Sequence, residues 1–264
     1  MDRSDGEAGS GFDAGTYGRS FADVYDDWYP AGPHTDAAVA TLRELTAGAA
    51  PARLLELGIG TGRLALPLAA SGSEVVGLDS SPEMLELLER KLAASPDVRV
   101  RGVLGDLADA ATWPAGPFDA VVAAFNLLCN LADAPAQRAV FATAAGVLSP
   151  DGVFAVEAVL PAPWEGVERR LEVRSVTAEA VVLIATEADP SDGVVIGQHI
   201  ELRDGEPVRL RPWRIRVAEP PELDRWAAEA GLSLDQRWAD WERHEYDPHG
   251  AGHVSIYRRG AARG

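Results

Sequence analysis

Apolar positions along this chain fall into two regimes. Up to about residue 159, short apolar runs alternate with stretches whose apolar residues recur at helical spacing. That is the pattern of a largely parallel sheet covered by helices. Runs at 53–57, 74–79, 98–104, 117–124 and 153–159 read as strands. Helices are predicted at 36–47, over Leu64, Leu66, Leu68 and Ala69 with Pro67 early in it, from Pro82 and at 135–148. Beyond residue 159 the alternation stops. Runs at 171–176, 180–188, 194–202 and 208–217 read as four strands, with hairpin-type turn signals at Asp192-Gly193 and Asp204-Gly205. Short connections imply antiparallel pairing, so a β insertion is expected at about 160–218. Helical spacing returns at Pro220 and ends at Gly231. Two closing strands, 232–241 and 253–258, should pair as a hairpin through a short Gly-containing loop.

The N-terminus has its own pattern. Residues 1–16 are acidic and Gly-rich and are expected to be disordered. Tyr17, Phe21, Tyr25, Trp28 and Tyr29 then follow helical spacing. Two readings remain open: an amphipathic helix packed on the core, and a helical cover that orders over a ligand pocket when the ligand binds. The chain divides into a tail (1–16), an N-terminal helical cover (17–50) and a main domain (51–264).

Chemistry concentrates after the first strand. Glu56-Leu57-Gly58-Ile59-Gly60-Thr61-Gly62-Arg63 joins a strand to a helix through three glycines at alternate positions. Such a turn permits positive φ and lets backbone N–H groups approach a ligand. A dinucleotide fingerprint would need its third glycine at position 63, where Arg63 stands. Glu56 would repel a pyrophosphate and suits a ligand carrying an ammonium group. Asp79 ends the second strand about twenty residues on, where an acid can accept both hydroxyls of a ribose. Capping of the helix from Pro82 is the alternative for Asp79, and Ser80 or Ser81 could cap instead. Asp106-Leu107, after the third strand, could receive an adenine amino group and pack on its ring. Phe125, Asn126 and Asn130 follow the fourth strand, on the edge where ligands of such sheets sit. Cys129 shares that edge and reads as packing.

Composition narrows the classes. The chain has 264 residues, 47% of them hydrophobic, enough for one large domain with an insertion. A net charge of −17 disfavours nucleic acid and anionic membranes as partners. Arg209, Arg211, Arg214 and Arg216 read as a solvated strand face rather than a basic patch. One cysteine excludes an intrachain disulfide, and no apolar run is long enough for an ordinary membrane span. The expected location is the cytoplasm. No metal is expected, because Gly250 and Gly252 break any helical pairing of His249 with His253.

Glu56 to Pro67, Gly77 to Met84, Gly105-Asp106, Phe125-Asn126, Leu148 to Glu157 and His253 to Tyr257 together resemble class I S-adenosylmethionine (SAM)-dependent methyltransferases of small bacterial type. The likeness runs from about Tyr17 to Arg259. It implies an α/β, doubly wound, seven-stranded Rossmann-like sheet in the order 3-2-1-4-5-7-6, with strand 7 antiparallel and the β insertion after strand 5. It implies SAM as cofactor and a small-molecule O or N acceptor, as in secondary metabolism. Gly58, Gly60 and Gly62 would lie under the methionine part, and Tyr17, Glu56 and Arg63 count among the cofactor-binding residues. Asp79 would hold the ribose, Ser80 and Met84 flank the nucleoside, Asp106 and Leu107 meet the adenine, and Phe125 and Asn126 line the methyl side. Tyr25, Tyr29 and Asn130 are the candidates on the acceptor side. No catalytic base is assigned among His34, His244, His249, His253 and the tyrosines. The insertion is a candidate surface for a homodimer. The rivals are a NAD-dependent oxidoreductase, which the glycine spacing disfavours, a SAM-binding protein without transfer activity, and an interaction module built on the insertion.

Overall fold

A computed structural model describes residues 12–260 except 14, 132, 165, 167–168 and 190–191. Residues 1–11 of the expected disordered tail lie outside the described residues. The elements run α1 (Thr16–Phe21), α2 (Tyr25–Trp28), α3 (Pro33–Leu45), β1 (Arg53–Leu57), α4 (Ala65–Ala70), β2 (Glu74–Asp79), α5 (Pro82–Ala93), β3 (Val100–Leu104), β4 (Phe118–Ala123), α6 (Ala134–Val147) and β5 (Leu148–Val159). The insertion follows as β6 (Arg169–Val176), β7 (Ala180–Asp189), β8 (Val194–Arg203) and β9 (Arg209–Arg216). Then come α7 (Pro220–Glu229), β10 (Leu232–Trp238) and β11 (Gly252–Arg259).

Seven strands form one sheet in the order β3-β2-β1-β4-β5-β11-β10. The first five are parallel, and β11 is antiparallel to both β5 and β10. This is the doubly wound order expected, with its reversal between β1 and β4. Alternation along the strands feeds two core layers. Leu55, Leu57, Val76 and Leu78 face α6 and α7 with Phe141 and Trp226, whereas Leu54 and Val75 face α3 and α4 with Leu42 and Leu68. Caps set two helix starts. The Ser81 hydroxyl accepts from Met84 N at 3.2 Å with Pro82 next in line, and Asp133 accepts from Ala136 N at 2.8 Å. Among the described residues no helix is long and apolar enough to cross a membrane.

Several expectations need correction. β5 starts at Leu148, earlier than its apolar pattern begins, and β3 starts at Val100. The connection from β10 to β11 is no tight hairpin, because it carries Trp241 into the core at 1% exposure. The aromatic segment is two short helices rather than one. The break between them lets Phe21 and Trp28 both reach the His199 ring, at 5.1 and 5.5 Å.

The insertion forms its own antiparallel sheet, β6-β7-β8-β9. One face carries His199, Glu201, Arg211 and Trp213 toward α1 and α2. It therefore closes over the cover, which the order of elements along the chain did not predict. The expected solvated face fails at Arg211, which is buried, while Arg209 stays exposed. Arg211 is 1% exposed and forks onto Asp23, at 2.6 and 3.1 Å, with Ser20 O and Glu201 as further partners. Arg209 adds a second ion pair to Asp23 at 2.7 Å. Arg216 is bound to Gln137 and Glu222. On the main-sheet side, Asp26 of α2 takes the Thr61 hydroxyl at 2.6 Å and Lys91 at 2.7 Å. The cover is thus pinned between both sheets.

Removing the guanidinium in Arg211→Met leaves two carboxylates facing each other without their shared cation. Stability in urea denaturation should fall by about 3 kcal/mol, and limited proteolysis should cut near α1 and α2 faster than in the parent chain.

Candidate functional site

The turn after β1 is built on backbone geometry. Gly58, Gly60 and Gly62 have φ of +63°, +54° and +85°, a region costly for residues with a Cβ. Their surroundings differ. A Cβ at Gly58 would lie 2.3 Å from Leu127, and one at Gly62 2.7 Å from Leu88, whereas one at Gly60 meets nothing nearer than the Gly58 carbonyl at 3.9 Å. Gly60 therefore presents open backbone, while Gly62 is packed behind the turn. Asp79 locks the turn: Gly60 N donates to Oδ2 at 2.7 Å and Ser81 N donates to Oδ1 at 2.9 Å. Burial pushes the Asp79 carboxyl up, against the pull of these backbone donors.

A cleft opens at this point. Of the residues singled out in the sequence, it brings together Tyr17, Gly58, Gly60, Asp79, Ser80, Met84, Asp106, Leu107 and Phe125, with Tyr25 and Asn130 at one end. Gly18, Ser81, Leu127 and Leu131 also line it and were missed. Gly18 had one visible signal, a glycine inside an aromatic helix. A Cβ there would lie 2.2 Å from Ser81 Cβ, so α1 touches α5 only because that residue is small.

Glu56, Gly62, Arg63 and Asn126 do not line this cleft. Glu56 is buried beneath the turn, its Oε2 has no partner, and burial pushes its carboxyl well above the usual range. Arg63 and Asn126 belong instead to a second cleft, with Tyr25, Tyr29 and Asn130. Glu157, Trp164, His199, Trp213 and Ile215 complete it and were missed. They come from the end of β5 and from the insertion, where alternation marks a strand but not what its inner face meets. Tyr17, Tyr25, Phe125 and Asn130 line both clefts and form the border between them.

The second cleft is aromatic with few charges. The Arg63 guanidinium lies 3.3 Å from the Phe125 ring centroid and 5.5 Å from that of Tyr25. Among the described residues it has no hydrogen bond or ion pair, and its Nε is buried without a partner. Glu157 is held below the usual carboxylate range. Burial opposes its charge, but His34, Phe125 N–H and Trp241 outweigh it. His34 is raised in turn, chiefly by its bond to Glu157. Burial raises the phenols of Tyr17 and Tyr25, so neither is a ready base. His199 is pushed down to about 4 by burial, with Arg174 and Arg211 adding to it. Trp213 Nε1 donates to its Nδ1 at 3.1 Å, so the neutral ring carries its proton on Nε2.

The other candidates lie elsewhere. His253 is buried against Ser255, and His244 pairs with Asp240 at the surface. Asp240, Glu242 and His244 are close enough to hold a metal jointly, but they line neither cleft. Cys129 is core packing, its thiol pushed up to about 12 by burial.

Residues 54–152 match the methyltransferase domain family. The chain is similar to the CcbJ methyltransferase from Streptomyces caelestis, with 40% identity, a TM-score of 0.86, and coverage of 95% of this chain and 100% of that one. It also resembles in fold SAM-bound CalS10, an amino pentose methyltransferase from Micromonospora echinaspora involved in calicheamicin biosynthesis. There the identity is 22%, the TM-score 0.68, and the coverage 90% and 96%. Among curated proteins, the demethylmenaquinone methyltransferase of Thermus thermophilus is 48% identical over 86 residues, 32% of this chain and 38% of that protein. The curated relatives are matched over only 33% to 53% of their length.

The buried histidine of the second cleft has a pH signature. Its folded pKa, about 4, lies below the ordinary 6.5. Its contribution to stability is therefore complete above pH 6.5 and is lost as pH falls toward 4, to a total of roughly 3 kcal/mol. Denaturation midpoints should fall over that window, and His199→Gln should reduce the fall without removing it, because burial pushes His253 down to about 4 as well.

Proposed function

The chain belongs to the class I SAM-dependent methyltransferases, and from that premise we propose that it methylates a nitrogen or oxygen of a small molecule. One observation carries the proposal. Two clefts, one built on a glycine turn and an acid, the other on aromatic side chains, meet at a border of Tyr17, Tyr25, Phe125 and Asn130.

The residues fit the cofactor. Gly60 offers backbone that a Cβ would cover, Asp79 offers a carboxylate at the strand end, and Arg63 is a cation lacking a partner among the described residues. Bound there, SAM would supply a methyl group already activated on a sulfonium. Asp79 accepts from the ribose hydroxyls, Asp106 and Leu107 take the adenine, and Ser80 and Met84 flank the nucleoside. Arg63 reaches from the second cleft toward the carboxylate of the methionine part. The rings of Tyr17 and Phe125 favour a cation between them. Glu56 and Gly62 act from behind, shaping the turn. The cover, as a lid, keeps water from the border between the clefts.

Tyr25, Tyr29 and Asn130 line the acceptor side with Trp164, His199 and Trp213. His199, neutral with its proton on Nε2, donates a hydrogen bond to the acceptor. In-line displacement requires alignment above all, which rigid aromatic walls supply.

Calorimetry with SAM tests the donor site. Asp79→Ala should weaken binding by roughly 2–4 kcal/mol, and Gly60→Val should abolish it in a folded chain. Labelled SAM incubated with metabolite extracts should yield a labelled product. Binding without any product would leave a SAM-binding protein instead.

We also propose that two copies pair through the outer face of the insertion. Leu171, Val173, Val176, Leu202, Val208 and Leu210 are all exposed there, an uncharged patch on a chain of net charge −17. Light scattering should show a dimer that Val173→Glu with Leu210→Glu converts to monomer.

A further inference from the structure

Phe125 stands where the two clefts meet, and its backbone is held in a costly shape. Its φ is +54°, and Asn126 follows at +62°. A phenylalanine in the left-handed region costs on the order of 1–3 kcal/mol, whereas asparagine adopts it readily, so something must hold Phe125 there. Glu157, on the neighbouring strand β5, does so. Phe125 N donates to its Oε2 at 2.8 Å. Trp241 Nε1 donates to the same oxygen at 2.9 Å, and His34 Nε2 lies 2.8 Å from Oε1. Trp241 is itself anchored, since its carbonyl accepts from Thr41 Oγ1 at 3.0 Å. One carboxylate thus ties the β4 end to α3 and to the connection before β11.

We infer that Glu157 is a positioning residue for methyl transfer: by accepting from Phe125 N–H it fixes the Phe125 ring at the border between donor and acceptor. The inference rests on the reading of the two clefts given above. Both Glu157 oxygens are already engaged, so its work is to hold rather than to take a proton from the acceptor. The Phe125 ring in turn seats the Arg63 guanidinium at 3.3 Å and contacts the His34 ring at 5.5 Å. A shift of this backbone therefore moves the wall of both clefts together.

The test uses the full chain labelled with 4-fluorophenylalanine, whose six phenylalanines give resolvable fluorine resonances. Phe125 is assigned with Phe125→Leu. In Glu157→Leu the Phe125 resonance should move or broaden while the others stay. In Glu157→Gln, which keeps an acceptor oxygen, it should stay in place. Affinity for S-adenosylhomocysteine, the demethylated product of SAM, should fall about tenfold in Glu157→Leu and within about threefold in Glu157→Gln. It should fall no further when Glu157→Leu is added to Phe125→Leu. If Glu157→Leu does not fold, Glu157→Asp, one methylene too short to reach its donors, is read in the same way. An unmoved Phe125 resonance in a folded variant, or additive losses of affinity, overturns the positioning role. Failure of the parent chain to bind S-adenosylhomocysteine overturns the donor site instead, and the resonance shift still decides the role of Glu157.

Discussion

A guanidinium at 1% exposure is tolerated only when its charge is matched and most of its donors are used; Arg211 recruits Asp23, Ser20 O and Glu201 through its two terminal nitrogens, and its Nε is left buried without a partner. Much of the site depends on that arrangement. Asp23 sits at the break between α1 and α2, so satisfying Arg211 fixes where the aromatic segment bends. The bend presents Phe21 and Trp28 to His199 and directs Tyr17, Tyr25 and Tyr29 into the clefts. The insertion is thereby made part of the site.

On the other side the same segment is held by weaker, more exposed contacts, through Asp26 to Lys91 and Thr61. Such ion pairs contribute little individually. The ion pairs of this segment are thus more deeply buried on the side of the insertion than on the side of the glycine turn. Charge in the clefts follows the same economy. Aromatic rings and a neutral histidine form walls, and the Arg63 guanidinium lies against aromatic faces, close enough to oppose the upward push of burial on the Glu56 carboxyl but forming no ion pair with it. A cation left in that state, within a border of rings, is poised for an anionic group brought by a ligand.

Much of the fold was legible because strand alternation and helix periodicity report burial directly. The strands themselves, the four strands of the insertion, and the placing of Gly58, Gly60, Asp79, Asp106 and Leu107 at strand ends came from such local signals, whereas the order of the seven strands came from the resemblance to methyltransferases. Errors arose where one residue serves two elements. Alternating arginines on 209–216 look solvated in one dimension, yet Arg211 is buried because α1 packs on that face. Continuous helical spacing over 17–29 hid a break that only Asp23, bound to Arg211, explains.

The sequence by itself determined which backbone could bend and which carboxylate ended a strand, since positive φ at glycine and side-chain period are properties of neighbouring residues. Only the tertiary structure decided that Gly60 is open while Gly62 is packed, and that Glu56 lies beneath the site. It also drew Glu157, His199 and Trp213 to the second cleft, and set Phe125 in a conformation its own preferences resist. These are contacts between segments far apart in the chain. No local pattern encodes them, because the energy that fixes each one resides in a partner that only folding brings near.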